Sequence, residues 1–182
     1  FYDKLIGSKK LDTSWEIGIE KVQVFERRKG AETEKVVSFD RGSGDPELIK
    51  SQVFLCRALG EFHVPDGLSV LLRAAESRPE RALAVRCAAV ESLAVLASHT
   101  SWTDSPDARS VLATLLAATR ETNDATDNLS AARLAATATF ALGVIGGDAA
   151  RGPLRELLQD ARPEVRYNAA TGLVETPTRG YH

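Results

Sequence analysis

The sequence predicts an all-α fold, an α-solenoid of stacked antiparallel helix pairs, and three observations predict it. The pattern Val-Arg-x-x-Ala-x-x-x-Leu occurs at Val85 to Leu93 and again at Val165 to Leu173, with looser copies at Ser51 to Leu59 and Leu134 to Leu142. Self-similarity at a spacing of about 20–50 residues marks repeat architectures, in which one supersecondary unit stacks on the next. Apolar residues inside each copy recur three and four residues apart, the period of a helix with one buried face. Helix-start residues and prolines recur at matching places between the copies.

Taken in order, residues 1–44 form an N-terminal capping or linker segment, and 45–182 the repeat domain. Every Lys lies at or before Lys50 and all later basic residues are Arg. That composition break agrees with a hinge at Arg41-Gly42-Ser43-Gly44. Asp12-Thr13-Ser14 reads as the cap of a helix carrying Trp15, Ile19, Val22 and Glu26. Trp15, Ile17 and Ile19 also alternate as in a strand; the helix is the preferred reading. Val36 to Phe39 is too short to assign. The segment is expected to cover the open end of the first repeat.

The repeat proper begins at Asp45-Pro46-Glu47, with Asp45 as cap and Pro46 as first helical residue. Pro65-Asp66 opens a helix bearing Leu68, Leu71 and Leu72, and Arg78-Pro79 turns the chain into the next, with Val85, Ala89, Ser92 and Leu93. Ser105-Pro106-Asp107 opens a helix with Val111, Leu112, Leu115 and Leu116. Asn128 to Ser130 opens one through Ala135, Ala138, Ala141 and Leu142. Gly146-Gly147-Asp148 stops that helix and starts another, with Asp148 as its expected cap and Pro153 in its opening turns. Pro163 begins the last helix, with Val165, Ala169, Gly172 and Leu173 on one face. Its Ala and Gly let neighbouring helices approach closely. The second helices start at Ser51, Val85, Leu134 and Val165, so the spacings are 34, 49 and 31 residues. The long spacing holds extended loops near Ser98 to Asp104 and Glu121 to Asp127.

The run Leu142-Gly143-x-Ile145-Gly146-Gly147-Asp148, then Pro153-Leu154-x-x-Leu157-Leu158, then Pro163-Glu164-Val165-Arg166-x-x-Ala169-Ala170, resembles HEAT repeats. It is most similar to the short variety named after phycobilisome lyases. The resemblance covers roughly 45–175 and is tightest from Leu142 onward. It implies an α-solenoid whose second helices line a concave face. The spacings of 34 and 49 residues depart from the short period.

The chain has 23 basic and 25 acidic residues and a net charge of −2, which disfavours a general nucleic-acid binder. No apolar run of about 18 residues is present, so no membrane span is expected in this segment. The absence of Met reads the chain as starting within something longer, which leaves targeting signals unreadable. Cys56 and Cys87 stand alone, without metal-ligand spacing or a disulfide framework, and favour a reducing compartment such as the cytoplasm.

The register of the second helices points two columns away from the buried face. These are Val53 and Arg57, Cys87 and Glu91, Ala136 and Phe140, and Tyr167 and Thr171. The set is apolar for a free helix surface, where charged residues are the rule. Arg57, Cys87, Glu91, Phe140, Tyr167 and Thr171 are therefore the candidate partner-binding residues, with the aromatic rings as anchors. The competing reading has loops or the N-terminal segment folded over them, or a register one residue off. Arg86 and Arg166 read either as a basic ladder for an acidic partner or as donors to turn acids such as Asp160 and to helix-end carbonyls. The second reading is preferred. Trp102, in a polar loop with His99 and Thr103, is expected to tuck back on its own domain rather than anchor a partner.

No catalytic set is legible. None of His63, His99 and His182 precedes a Glu, so the His-Glu pairs of di-iron HEAT-repeat enzymes are missing. Asn123 to Asp127 lacks the Gly and distal Glu of a calcium loop. Gly42-x-Gly44 lacks the rest of a phosphate loop. No cofactor is expected. The reading is a non-enzymatic scaffold that holds a protein or peptide on its concave face. Two alternatives remain: a lyase-like or cofactor-handling protein related to bilin lyases, and a structural module of a larger, membrane-anchored protein.

Overall fold

The computed structural model describes residues 13–17, 21–28, 31–38, 45–62, 65–76, 82–99, 105–121 and 128–175. Seven helices follow three strands among these residues. They are α1 (Pro46–Glu61), α2 (Leu68–Ala75), α3 (Leu83–His99), α4 (Pro106–Arg120), α5 (Asn128–Ile145), α6 (Gly147–Leu157) and α7 (Pro163–Glu175). A single 3-10 turn at Pro65–Gly67 precedes α2.

The helices form two layers. α1, α3, α5 and α7 pack side by side in sequence order, while α2, α4 and α6 form the second row, each against the helix that follows it. That is the expected all-α solenoid of helix pairs. The core lies between the rows, with Leu55, Leu59, Leu71, Leu93, Leu115, Leu134, Leu142 and Leu154 fully buried. Val85, Val165, Ala89 and Ala169 of the signature are buried in it as well.

Helix starts follow the sequence at two places. The Asp45 carboxylate accepts from the Glu47 N–H at 3.0 Å, with Pro46 in the first helical turn. The Ser105 hydroxyl accepts from the Ala108 N–H at 3.0 Å. Asp148 is a correction: it lies inside the first turn of α6, and Gly146 is the cap, without a side-chain bond. Gly146 and Gly147 have φ of 62° and 74°, so the reversal from α5 into α6 uses backbone that residues with a Cβ rarely adopt. Asp148 still opposes the positive end of the helix dipole. Pro153 also falls deeper than expected, inside α6.

The N-terminal helix is the larger correction. β1 (Thr13–Ile17), β2 (Lys21–Arg28) and β3 (Ala31–Ser38) form an antiparallel sheet in the order β1-β2-β3. Thr13 pairs with Glu26 and Arg28 with Ala31. The alternation of Trp15 and Ile17 is the strand pattern. Val22, Val24, Thr33, Val36 and Val37 are β-branched residues that fit a pleated strand better than a helix. β3 approaches α1. The hinge at Arg41 to Gly44 lies outside the described residues.

Small residues set the spacing of the second-helix row. A Cβ on Gly172 of α7 would sit 2.7 Å from the Gly143 Cα of α5. A Cβ on Gly60 of α1 would sit 2.8 Å from the Ser92 Cβ of α3. Both are backbone-to-backbone approaches that a side chain cannot relieve by rotating. Gly172→Val is expected to cost about 1–3 kcal/mol through overpacking. Gly152→Ala, in α6 with open space at its Cβ beyond its chain neighbours, is expected to stabilise by at most about 0.5 kcal/mol, because removing a helical glycine is offset by the ring of Pro153 behind it. Urea unfolding of the two variants beside the parent checks both signs.

Candidate functional site

Numbering each second helix from Ser51, Val85, Leu134 and Val165 as position one brings equivalent residues together. Positions three and ten of one helix meet positions four and eight of the next. Thr137 Oγ1 lies 3.9 Å from Cys87 Sγ. Asn168 Nδ2 donates to the Ala136 carbonyl at 2.8 Å. Gly60 faces Ser92, and Gly143 faces Gly172. Position seven, between these two sets, is the one that points outward.

The two columns nominated from the sequence therefore separate. Arg57, Glu91 and Phe140 occupy position seven on adjacent helices, and all three are exposed. They line one shallow depression of about 280 Å³ together with Gly60, Glu61, Ser92, Ala94, Val95 and Val144. Phe140 keeps 52% of its surface exposed and Val144 40%. Arg57 and Glu91 stand 3.9 Å apart with both side chains well solvated, a pair worth little to stability. The depression thus has a charged wall on α1 and α3 and an apolar wall on α5.

Cys87 is a correction. It belongs to position three, is only 5% exposed, and packs under α5. Burial raises its thiol pKa, with Thr137 and nearby arginines acting in the opposite direction. Val53 and Ala136 of the same column are half-buried. Tyr167, also at position three, is 72% exposed. It lines a separate shallow depression on α7 with Ala170, Thr171 and Val174. Thr171 stands at position seven of α7 but is half-buried and lines this second depression, so Tyr167 and Thr171 both lie away from the Phe140 depression. Glu61, Val95 and Val144 were not singled out in the sequence. Their signal was one helical turn beyond position seven, on the same face.

The repeat arginines point inward or along the edge. Arg86 is buried and grips the Glu121 carboxylate with both terminal nitrogens, Nη1 at 2.7 Å from Oε1. Its Nε donates to the Ala75 carbonyl at the end of α2. Arg166 Nη1 donates to the Asp160 and Ala161 carbonyls at 2.8 and 2.9 Å. Arg162 holds Asp160 in a fork at 2.8 and 2.7 Å and donates to the Thr119 carbonyl at the end of α4. The Arg162 bond holds the Asp160 carboxyl below the ordinary carboxylate value. Each guanidinium ties helix-end carbonyls or turn groups together, so the preferred reading of a structural ladder fits the geometry.

Residues 134–160, from mid-α5 through α6 to the Asp160 turn, match the family model described as PBS lyase HEAT-like repeat. That segment is a HEAT-like repeat. No curated protein and no solved structure is significantly similar to the chain.

Among the described residues, no three His, Cys, Asp or Glu side chains cluster as metal ligands. No described helix is long and apolar enough to cross a membrane. Trp102, Thr103, His63, His182, the Arg78-Pro79 turn and Asn123 to Asp127 lie outside the described residues, and nothing is described of the His99 side chain.

Three outcomes are expected. Arg86→Met leaves the Glu121 carboxylate without its fork and should cost roughly 3 kcal/mol, the lower end for breaking a buried pair. Replacing both residues (Arg86→Met with Glu121→Leu) should recover most of that loss in a double-mutant cycle by urea unfolding. Asp160, with a depressed folded pKa, contributes stability that is complete above its ordinary value of 3.8 and lost as pH falls through the folded value. The parent should therefore be more stable than Asp160→Asn at pH 6, with the difference shrinking below pH 3.8 in a thermal-unfolding series. Cys56 and Cys87, both buried, should react with a thiol reagent only on unfolding.

Proposed function

We propose that the chain is a non-enzymatic scaffold that binds a partner protein or peptide along the concave face of its second-helix row. The observation that carries this reading is the uncovered pair Phe140 and Val144 beside the charged residues Arg57, Glu61 and Glu91. A solenoid needs only its two inter-row faces and its inter-repeat faces buried. Stacking does not require an aromatic ring at position seven, since a charged residue stands there on α1 and α3. Covering the rest of one Phe ring is worth about 1.5 kcal/mol, the low end for a side chain already half-buried. A depression with one apolar and one charged wall suits an apolar side chain of a partner with a polar neighbour.

Partner contact should therefore be local to this face. A photo-crosslinking amino acid at position 140 should capture a partner that the same group at Ser69, exposed on α2 in the opposite row, does not. Phe140→Lys should weaken capture about tenfold while leaving the helical circular dichroism unchanged. Equal capture from both positions, or capture indifferent to Phe140→Lys, contradicts the proposal.

A further inference from the structure

We infer that the Phe140 depression takes the side chain of an arginine carried by a protein or peptide partner, with the guanidinium on the Glu61 and Glu91 carboxylates and over the Phe140 ring. The inference rests on the scaffold reading and names the chemistry of what that face holds. The carboxylates of the depression outnumber its cation, since Glu61 and Glu91 stand against Arg57. Glu61 is exposed and makes no ion pair among the described residues. Arg57 meets Glu91 at 3.9 Å with both side chains solvated. That is a loose contact beside the two-pronged grip of Arg86 on Glu121. Both carboxylates therefore keep acceptor capacity for an incoming donor. The other described cations of this face stand apart from them. Lys50 is paired with Glu47 at 2.7 Å, and Arg133 precedes Phe140 by two helical turns, roughly 10 Å along α5.

The opposite wall supplies the second half of the match. Phe140 and Val144 are exposed there and Val95 is half-buried. Arginine carries both halves in one residue: a methylene stem that covers apolar surface, and a planar cation that forks a carboxylate and stacks on an aromatic face. A cation within about 6 Å of a ring centroid is drawn to the ring face, and arginine is found there more often than lysine. Gly60 and Ser92 are buried beneath the depression, where α1 and α3 approach most closely. The volume of about 280 Å³ therefore lies along the surface, where a side chain can lie flat. The alternatives fit less well. An acidic side chain would meet one guanidinium already beside Glu91 and two carboxylates that repel it. An aliphatic one would cover Phe140 and Val144 but take water from Glu61 and Glu91 without replacing its hydrogen bonds.

Selection of random short peptides displayed on phage against the full chain tests the inference, with the Phe140→Lys protein as counter-selection. Peptides retained by the parent alone are expected to share an arginine, and the strongest of them is synthesised for fluorescence anisotropy. Replacing its arginine by citrulline, which keeps the shape and loses the charge, should weaken binding about tenfold. Glu61→Gln should weaken it about threefold, the scale of a solvated charge contact. Arg57→Gln, which releases Glu91 and removes a like charge, should strengthen it by about the same factor. Arg57, Glu61 and Phe140 are exposed, and circular dichroism checks that each variant folds. Phe140-dependent peptides that lack arginine, or that share Asp or Glu in its place, would overturn the inference and leave the scaffold reading standing. Weaker binding in Arg57→Gln would overturn it in the same way. A shared sequence that reproduces a run of this chain would assign the face to a self-contact and overturn it too. Finding no Phe140-dependent peptide would overturn both readings.

Discussion

The close approach of the second helices is the constraint on which the rest of the structure depends. Gly143 and Gly172 bring the backbones of α5 and α7 together, and Gly60 with Ser92 does the same for α1 and α3. At such spacing, positions three, four, eight and ten have room only for small or slender side chains between helices. Cys87, Ala88, Ser92, Ala136 and Thr137 satisfy that limit within the array. Position seven escapes it because it points out of the row. The large and charged residues Arg57, Glu91 and Phe140 therefore share one face as a consequence of packing the others.

The arginines complete the frame in the other direction. Side-by-side packing fixes the row of second helices but leaves the ends of the first helices with unpaired carbonyls. Arg86 reaches Ala75 at the end of α2, and Arg162 reaches Thr119 at the end of α4. A planar guanidinium serves two partners at once, a carboxylate fork and a carbonyl, where an ammonium on a flexible stem offers no such geometry. The exclusive use of Arg after Lys50 thus has a local reason at Arg86, Arg162 and Arg166. These side chains are occupied by the frame itself, whereas Arg57, Glu91 and Phe140 at position seven stand outside it.

Most of the array was legible because helix starts and repeat positions are local signals. Asp45, Pro46, Ser105, Pro106 and Pro163 mark helix starts by backbone chemistry alone. Cys87 was misread for the opposite reason. A periodicity drawn from one helix gives the side that faces the core between rows, and it leaves open which remaining side the next repeat covers. Thr137 and Asn168, on other helices, decide that. The N-terminal sheet was half legible. Trp15 and Ile17 alternate, and Gly30 lies between Arg28 and Ala31, which pair across the β2–β3 hairpin. The capping-type run Asp12-Thr13-Ser14 outweighed those signals in the sequence, although Ser and Thr serve equally well in strands and turns. The Arg86–Glu121 fork joins residues 35 apart, and no local pattern announces it.

The central claim is that on α1, α3 and α5 position seven, with position eleven one turn on, faces outward while positions six and ten lie between or against neighbouring helices. Maleimide labelling of single cysteines along α5 tests it most directly, since Cys56 and Cys87 are buried. Phe140→Cys and Val144→Cys should be modified at rates close to those of the unfolded chain, and Thr139→Cys should be protected until the fold opens. Equal labelling at 139 and 140, or protection of both, would contradict the register from which the face was derived.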